Sequence, residues 1–393
     1  MIGIDEALSR LLGLVSPLPC ETVSLTDSIG RWVSEPITAK RTQPARDLSA
    51  MDGYALAGNG PISSWDVVGE SAAGVPYQGS IMAGQAVRIF TGAALPAGAD
   101  RVIMQEQVTR EGNVISATST AFIEPGHHVR RAGSDFRTGD MLIETGERLT
   151  PARIALAVSG GYAELPVRRR VQVAVLSTGS ELVAPGEEAG DDLLPESNSL
   201  MVGLMLRDFR CSVVSPGIIP DDMGLLTGAI RQAQETADVI VTTGGASVGD
   251  HDLVRPALEA CGATLDFWKV AMRPGKPVFA GMLGRSVILG LPGNPVSAYV
   301  TAELFLKPLI AALGGASAPA PRRELAILHG ELPAVGPRTD HVRAARNLGL
   351  VTPVGVNDSA ALRALAKADT LIVRPAQSPP ATSGDTIEII ILS

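Results

Sequence analysis

The sequence predicts a multidomain protein of the α/β plus β class, and three observations lead to that prediction. The chain has 393 residues, which corresponds to two to three domains of average size. Residues 171–313 alternate between strand-like and helix-like segments, as in a doubly wound, three-layer α/β domain with a mostly parallel sheet. Residues 40–137 and 322–393 contain mainly short β-like segments, which predicts further β-rich domains.

The N-terminal elements follow from apolar spacing and from capping residues. A helix is predicted over 5–15, because apolar residues recur at helical spacing behind Asp5, which can act as the cap. A second helix is predicted to start at Pro151, after the cap Thr150, and to end at Gly160. The three arginines at 168–170 are predicted to form a solvated strand or linker. Short strands are predicted at 22–25, 31–37, 65–68, 86–90, 101–107 and 114–117.

The alternating region supplies the remaining regular elements. Its predicted strands are 171–176, 211–219, 238–243 and 286–291, and its predicted helices are 199–209, 223–235, 252–260 and 296–313. The composition of residues 314–321, GGASAPAP, predicts a linker. The β-rich C-terminal region has one short helix-like stretch near 360–367 and a strong final strand at 386–392.

Composition excludes several classes of function. The net charge of −8 and an aromatic content of 4% disfavour a nucleic-acid-binding protein. Cys20, Cys211 and Cys261 form no Cys-x-x-Cys pair, so neither a disulfide framework nor a structural zinc site is expected. The N-terminal segment lacks a basic targeting region, and no apolar run approaches the ~18 residues of a membrane span. We therefore expect a cytoplasmic protein with neither nucleic-acid nor membrane partners.

Three loops lie where predicted strands of the alternating region end and helices begin. They comprise residues 177–181 (STGSE), 242–250 (TTGGASVGD) and 291–297 (LPGNPVS). Ligands of doubly wound sheets bind at the carboxyl ends of the strands. Glycine allows a ligand to approach the backbone, and helix N-termini attract anions, so the loops together predict a site for a phosphorylated ligand. For any single loop, a tight βα turn without a ligand is the alternative.

Carboxylates accompany these loops. Glu181 ends the first loop, Asp221 and Asp222 follow a predicted strand, and Asp250 and Asp252 end the second loop. Carboxylates beside an anion site repel the anion unless a hard divalent cation such as Mg²⁺ bridges the two. Each acid taken singly is also explained as a surface residue or a helix cap.

A basic segment follows in the sequence WKVAMRPGKP. Lys269, Arg273 and Lys276 lie within eight residues of one another. Fixed cations near a phosphate site suit an oxyanion or a diphosphate, and a solvated hairpin is the alternative.

Six separated motifs then carry a resemblance. They are SAMDGYA, RIFTGAALPAGADRVIMQE, STGSEL, TTGGASVGDHD, MRPGKP and LPGNPVSA, in this order. Alone, SAMDGYA and RIFTG are ordinary turn signals. Together the six resemble, over the whole chain, the motifs of the molybdopterin molybdenumtransferase family.

This resemblance implies an enzyme of molybdenum cofactor biosynthesis. Its members insert molybdate into adenylylated molybdopterin, with Mg²⁺-assisted hydrolysis of the phosphoanhydride, and release AMP and molybdenum cofactor. The resemblance also implies an elongated homodimer with an active cleft shared between subunits. The molybdopterin adenylyltransferase, which performs the preceding step, is the expected protein partner.

The resemblance further implies four domains in each subunit. Residues 1–39 and 138–168 are expected to form a discontinuous α/β linker domain, into which a β-rich domain, 40–137, is inserted. Residues 169–315 are expected to form the doubly wound molybdopterin-binding domain. Residues 316–393 are expected to form a C-terminal β-barrel-like domain.

The family's roles transfer to the residues that match its motifs. The implied catalytic residues are Asp52, Thr91, Glu181, Asp221, Asp252, Lys269, Arg273 and Lys276. Three of them, Glu181, Asp221 and Asp252, are the implied ligands of Mg²⁺, and Asp52 is implied to face the partner's cleft. The residues expected to bind the pterin and its phosphates are Ser177, Thr178, Gly179, Gly244, Gly245, Ser247, Gly249, Pro292, Gly293, Asn294, Pro295, Arg130 and Asp135.

Two positions depart from the family pattern. Ser180 stands where the family often has an aspartate, which removes one carboxylate near the expected cation. Arg273 stands where lysine is common, which preserves the charge but replaces a point charge with a planar fork.

Two other functions compete with this interpretation. Molybdopterin adenylyltransferases resemble the doubly wound domain alone, and residues 1–165 and 322–393 argue against that activity. A non-catalytic binding module or scaffold is the other, if the Ser180 departure abolishes cation binding. Scaffolding in the family uses additional regions that these 393 residues do not include.

Overall fold

The computed structural model describes residues 1–58, 63–119, 123–188, 190–245, 253–355 and 361–392. The chain divides into two compact units. The larger unit comprises residues 1–35, 145–150 and 165–393, and the smaller unit comprises residues 36–144 and 151–164. The finer division into four domains stays a prediction.

The smaller unit is built on a six-stranded sheet. Its strands, in order across the sheet, are Arg101–Met104, Gly53–Leu56, Gln85–Ile89, Ser64–Ser71, Val114–Ala117 and Val108–Glu111. Neighbours are antiparallel except Gln85–Ile89 and Ser64–Ser71, which are parallel. The sequence analysis missed Gly53–Leu56, because Gly53 suggests a turn. In the sheet, a Cβ at Gly53 would lie 1.9 Å from the carbonyl oxygen of Ile103, so the close strand contact requires glycine.

Shorter elements complete the smaller unit. The two-residue strand Leu48–Ser49 pairs with Val129–Arg130, and Ile37–Thr38 pairs with Met141–Ile143. The predicted helix is confirmed over Pro151–Ser159. It ends where Gly161 takes a φ of +99°, a backbone conformation that favours glycine.

The larger unit starts with the helix Ile4–Gly13. Its N-cap is Gly3, so the expectation that Asp5 caps it is wrong; Asp5 lies in the first turn, where a negative charge is favourable. The short strand Cys20–Ser24 and the one-turn helix Leu25–Ser28 follow. Strand Cys20–Ser24 pairs with Glu164–Arg168.

The central sheet of the larger unit is mixed. Its main strands, in order across the sheet, are Ser212–Val214, Gln172–Thr178, Val239–Thr243, Ser286–Leu291, Phe279–Leu283 and Thr264–Trp268. The first four run parallel to one another, and Phe279–Leu283 runs antiparallel to both of its neighbours, Ser286–Leu291 and Thr264–Trp268. The predicted strand 211–219 is two strands, since Ile218–Ile219 separately pairs with the end of Gln172–Thr178. The sequence analysis missed the last two strands, Phe279–Leu283 and Thr264–Trp268.

Helices cover both faces of this sheet, which confirms the three-layer, doubly wound arrangement. Alternate residues of the central strands, such as Val173 and Ala174, belong to two separate apolar clusters. The helices are Asn198–Met205, Met223–Thr236, Val254–Ala260 and the continuous helix Pro295–Leu313.

The helix Pro295–Leu313 corrects one expectation. Its 19 residues are long and apolar enough to cross a membrane by length and composition, whereas the sequence analysis found no such run. It is 89% buried within the protein and packs into the core of the larger unit. Its length therefore reflects a core helix.

The three arginines at 168–170 were expected to form a solvated strand or linker, and the structure corrects this expectation for Arg169. Both terminal nitrogens of Arg169 donate to the carboxylate of Asp238, at 2.8 and 2.7 Å. Asp238 is 8% exposed and also accepts from the backbone N–H of Gln172, at 2.9 Å. A bidentate pair of this kind fixes geometry. Arg169 thus anchors the first central strand and is not part of a solvated linker.

The C-terminal region is a closed five-stranded β-barrel. Its strands are Arg323–Leu328, Thr339–Asn347, Leu350–Pro353, Thr370–Arg374 and Thr386–Ile391, with a short helix Leu362–Leu365. Closure comes from pairing of Thr339–Asn347 with both Leu350–Pro353 and Thr370–Arg374. The two-residue strand Met272–Arg273 pairs in parallel with Thr339–Asp340, which ties the basic segment to the barrel. The expected barrel-like domain is confirmed.

Candidate functional site

A large cavity on the larger unit lies at the carboxyl ends of the parallel strands. Its volume is about 860 Å³. The three predicted loops all contribute to it, as a doubly wound sheet requires. Ten predicted site residues line it, namely Thr178, Gly179, Glu181, Asp221, Gly244, Gly245, Pro292, Gly293, Asn294 and Pro295.

Glycine is required at two points of the cavity wall. Gly179 has a φ of +148° and Gly244 a φ of +99°. A Cβ at Gly244 would lie 2.7 Å from the carbonyl oxygen of Thr178, and one at Gly179 would lie 2.5 Å from Oε2 of Glu181. Gly244 therefore allows the first two loops to pack closely, and the positive φ of Gly179 favours glycine in the first loop.

Ser177 is buried behind the wall, at 1% exposure. Its hydroxyl donates to Oε1 of Glu196 at 3.0 Å and lies 3.0 Å from Oγ1 of Thr243. Glu196 also accepts from the backbone N–H and the hydroxyl of Ser199, at 2.8 and 2.6 Å. Sequence analysis missed this buried carboxylate, because an acidic residue in a polar segment gives no sign of burial. The network fixes the start of helix Asn198–Met205 against the sheet.

The two adjacent aspartates after Ile219 have different roles. Asp222 caps helix Met223–Thr236, because its Oδ1 accepts from the N–H of Leu225 at 2.8 Å. Asp221 lines the cavity and remains exposed. Its Oδ2 accepts from the backbone N–H of Ser180, at 3.0 Å.

The expected metal ligands are only partly brought together. Glu181 and Asp221 line the same cavity. Asp252 lies outside the described residues, as do the predicted binding residues Ser247 and Gly249. Among the described residues, no three His, Cys, Asp or Glu side chains form a group that could hold a metal ion.

A second cavity, of about 290 Å³, lies between the basic segment and the barrel. Its wall includes Arg273 and Lys276, together with Arg338 and Arg343 from the barrel. Sequence analysis missed the two barrel arginines, because their approach depends on the pairing of Met272–Arg273 with the barrel strand. Lys269 does not appear among the described lining residues of either cavity.

This second cavity is predominantly basic. Asp340, 7% exposed, forms an ion pair with Arg273. His341 also lines the cavity, and burial, assisted by the charge of Arg323, lowers its pKa to about 3. His341 is thus neutral near pH 7, and the described cations outnumber the single described carboxylate. The cavity therefore suits an anion.

The two cavities adjoin each other, since Pro277 and Asn294 line both of them. One is bounded by glycine-rich loops and carboxylates, and the other by arginine and lysine side chains. A ligand in the larger cavity would therefore lie next to an anion in the smaller one.

The smaller unit holds the remaining predicted residues. Oδ1 of Asp52 accepts from both the backbone N–H and the hydroxyl of Thr91, at 2.7 and 2.8 Å. These bonds, followed by the charge of Arg88, hold the pKa of Asp52 below its usual value. Arg130 and Asp135 are exposed on the same unit, and no hydrogen bond or ion pair joins them to Asp52 within the described part of the chain.

The sequence matches three families in succession. Residues 2–161 match the family described as "MoeA N-terminal region (domain I and II)", residues 174–312 match "Probable molybdopterin binding domain", and residues 326–392 match "MoeA C-terminal region (domain IV)".

Relatives match over most of their length. A protein of Haemophilus influenzae named "Molybdopterin molybdenumtransferase" is 40% identical over 80% of this chain and 78% of its own length. A protein of that name from Bacillus subtilis is 32% identical over 100% of this chain and 94% of its own. The fold is similar to a crystal structure of the molybdopterin biosynthesis moeA protein from Pyrococcus horikoshii. That likeness has a TM-score of 0.85 and 26% identity, and it covers all of both chains.

The contact between Asp52 and Thr91 predicts a pKa effect. Thr91→Val removes the hydroxyl donor and keeps the backbone donor, so the pKa of Asp52 should rise part of the way towards its ordinary value. In the native chain the carboxylate thus stays ionised to lower pH than in the variant. Carboxyl ¹³C NMR across a pH titration measures this, with Thr91→Ser as the control that keeps the hydroxyl. An unchanged pKa in Thr91→Val would contradict the assignment.

Proposed function

The chain belongs to the molybdopterin molybdenumtransferase family, and from that premise we propose that it inserts molybdate into adenylylated molybdopterin. In this reaction the dithiolene sulfurs of the pterin displace oxygens of molybdate, and hydrolysis of the phosphoanhydride releases AMP and molybdenum cofactor. The activity belongs to molybdenum cofactor biosynthesis. The observation that carries the proposal is the pair of adjoining cavities, which fits two ligands that must react with each other.

The larger cavity is proposed to hold the adenylylated pterin. Its glycine-rich loops expose backbone near the N-terminus of helix Pro295–Leu313, where N–H groups favour phosphate oxygens. Thr178, Gly179, Gly244, Gly245 and the loop 292–295 are the proposed contacts, and Ser177 supports them from behind. Ser247 and Gly249 are proposed from the family motif alone.

Mg²⁺ is proposed to assist at the same cavity. The donor set fits the ion, because Mg²⁺ is commonly held by one or two carboxylates together with substrate phosphates. Glu181 and Asp221 would hold it, with Asp252 proposed as a third ligand from the family motif. When bound, the ion polarises the phosphoanhydride towards cleavage.

The smaller cavity is proposed to hold molybdate. Arg273 and Lys276 supply positive charge from the doubly wound region, and Arg338 and Arg343 supply it from the barrel. Asp340 pairs with Arg273 and so fixes the orientation of that guanidinium. Lys269 is not among the described residues that line this cavity, and its proposed role in molybdate binding rests on the family motif alone.

We also propose that the protein works as a homodimer with a shared cleft. Asp52, Thr91, Arg130 and Asp135 have exposed positions on the smaller unit. In this proposal they complete the cleft of the other subunit, and the adenylyltransferase of the preceding step delivers the pterin. The expected setting is the cytoplasm.

The role of Asp221 gives a direct test. In Mg²⁺ buffer, AMP release from adenylylated molybdopterin should require molybdate. Asp221→Asn should lower it about a hundredfold by removing a carboxylate charge at the reacting phosphates, with unchanged thermal stability. Asp222→Asn is the matched control, because asparagine also caps helices well, and its rate should stay near that of the native chain. Equal rates in the two variants would remove the proposed role, and release without molybdate would argue against insertion.

The basic cavity gives a second test. Lys276→Ala should raise the KM for molybdate about tenfold or more, because a charged hydrogen bond to the anion is lost. Lys367→Ala, at an exposed position of the C-terminal region, is the control and should leave the KM unchanged. The measurement is the initial rate of AMP release against molybdate concentration. If both variants keep the native KM, molybdate binds elsewhere.

The proposed cleft between two subunits gives a third test. Co-expressed Asp52→Asn and Asp221→Asn chains should recover activity that each variant lacks alone, because one site of a mixed dimer is then intact. Random pairing in a two-fold dimer gives roughly a quarter of the native rate. Sedimentation velocity checks that the mixture is dimeric. Absence of recovery in a mixed dimer would place both residues in one subunit's site or outside the site.

A further inference from the structure

Ser180 and Asp221 are joined by two reciprocal hydrogen bonds. The backbone N–H of Ser180 donates to Oδ2 of Asp221, at 3.0 Å. The backbone N–H of Asp221 in turn donates to the hydroxyl oxygen of Ser180, at 3.1 Å. A further backbone bond, from Gly179 N–H to the carbonyl of Ile219 at 3.2 Å, holds the two loops side by side.

These bonds restrict Asp221 at both its backbone and its side chain. Oδ2 is committed to Ser180, while Oδ1 has no hydrogen-bond partner among the described residues. The neighbouring Asp222 is already used as a helix cap. Asp221 therefore presents one carboxylate oxygen to the cavity that it lines, from a backbone that Ser180 holds in place.

We propose that Ser180 is a positioning residue for Asp221, and that its hydroxyl, by holding the backbone N–H of Asp221, places this carboxylate as a cation ligand in the larger cavity. The proposal rests on the proposed function of that cavity. It gives a structural reason for a serine at position 180, where the family often has an aspartate. Ser180 replaces a carboxylate, yet its hydroxyl accepts the Asp221 N–H and adds no second negative charge beside Asp221. The proposed cation site therefore has one carboxylate fewer than the family pattern implies, and hydrogen bonds hold Asp221 in place.

Binding of Mn²⁺ alone to the full chain, followed by electron paramagnetic resonance of the free ion, tests the proposal without requiring turnover. Ser180→Ala should weaken Mn²⁺ binding about threefold to tenfold, the usual effect of one lost hydrogen bond. Ser180→Thr keeps a hydroxyl and should restore native affinity. Ser215→Ala, at an exposed position in the loop between Ser212–Val214 and Ile218–Ile219, is the matched control and should bind as the native chain does. Thermal stability should be the same in all variants.

The outcomes separate two failures. Equal Mn²⁺ affinity in the native chain and Ser180→Ala, with binding lost in Asp221→Asn, overturns the role of Ser180 and leaves the cation site in place. No binding of Mn²⁺ to the native chain overturns the role of Ser180 in a cation site formed by the chain itself, whereas the proposed function is tested separately by molybdate-dependent AMP release. On AMP release, Ser180→Ala should cause no further loss in an Asp221→Asn background, because the two residues then act as one unit. An additive loss would show that Ser180 acts independently of Asp221.

Discussion

The candidate site depends on one backbone pairing, that of Met272–Arg273 with Thr339–Asp340. This two-residue parallel pairing joins a loop of the α/β region to a strand of the closed barrel. It sets Arg273 beside Asp340 and brings the barrel arginines to the basic segment. It adds a backbone link at the cavity to the apolar core in which the barrel residues Leu371 and Val373 already pack with the α/β region. The loop residue Pro277, four positions beyond Arg273, then lines both cavities.

The two cavities differ in how they accommodate charge. The larger one exposes backbone, since Gly244 packs against the carbonyl of Thr178 at a distance that a Cβ would prevent, and Gly179 takes a positive φ that favours glycine. Two of its lining carboxylates, Glu181 and Asp221, require a cation if an anionic ligand is to lie beside them. The smaller cavity carries its charge on arginine and lysine side chains. Its single described carboxylate, Asp340, forms an ion pair with Arg273. Opposite electrostatic character within adjoining spaces suits a reaction between a phosphorylated organic ligand and a small oxyanion.

Buried and half-buried polar groups support this arrangement from behind. Arg169 and Asp238 hold the start of the first central strand, and Ser177, Thr243 and Glu196 connect its end to helix Asn198–Met205. Because parallel strands end at the same edge of the sheet, errors at either end would move the loops that line the cavity. Arg169, Asp238, Ser177 and Thr243 act by position, whereas Glu196 both holds the helix start and lines the larger cavity. Ser180 belongs with them, although it lies at the surface, because both of its bonds to Asp221 hold a cavity residue in place.

The sequence by itself determined the classes of structure and the motifs. Strand and helix alternation over 171–313 predicted the doubly wound sheet, because burial on both faces of a parallel sheet leaves continuous apolar strands. The loops at strand ends were identifiable, since glycine and hydroxyl residues mark sites where backbone meets a ligand. Tertiary structure alone decided which side chains meet. The bond between Thr91 and Asp52 spans 39 positions, and the pairing of Arg273 with Asp340 spans 67. Burial of Glu196, the anchoring role of Arg169 and the approach of Arg338 and Arg343 are likewise long-range outcomes. Local pattern carries no information about them, because each depends on a partner that only the folded chain brings near.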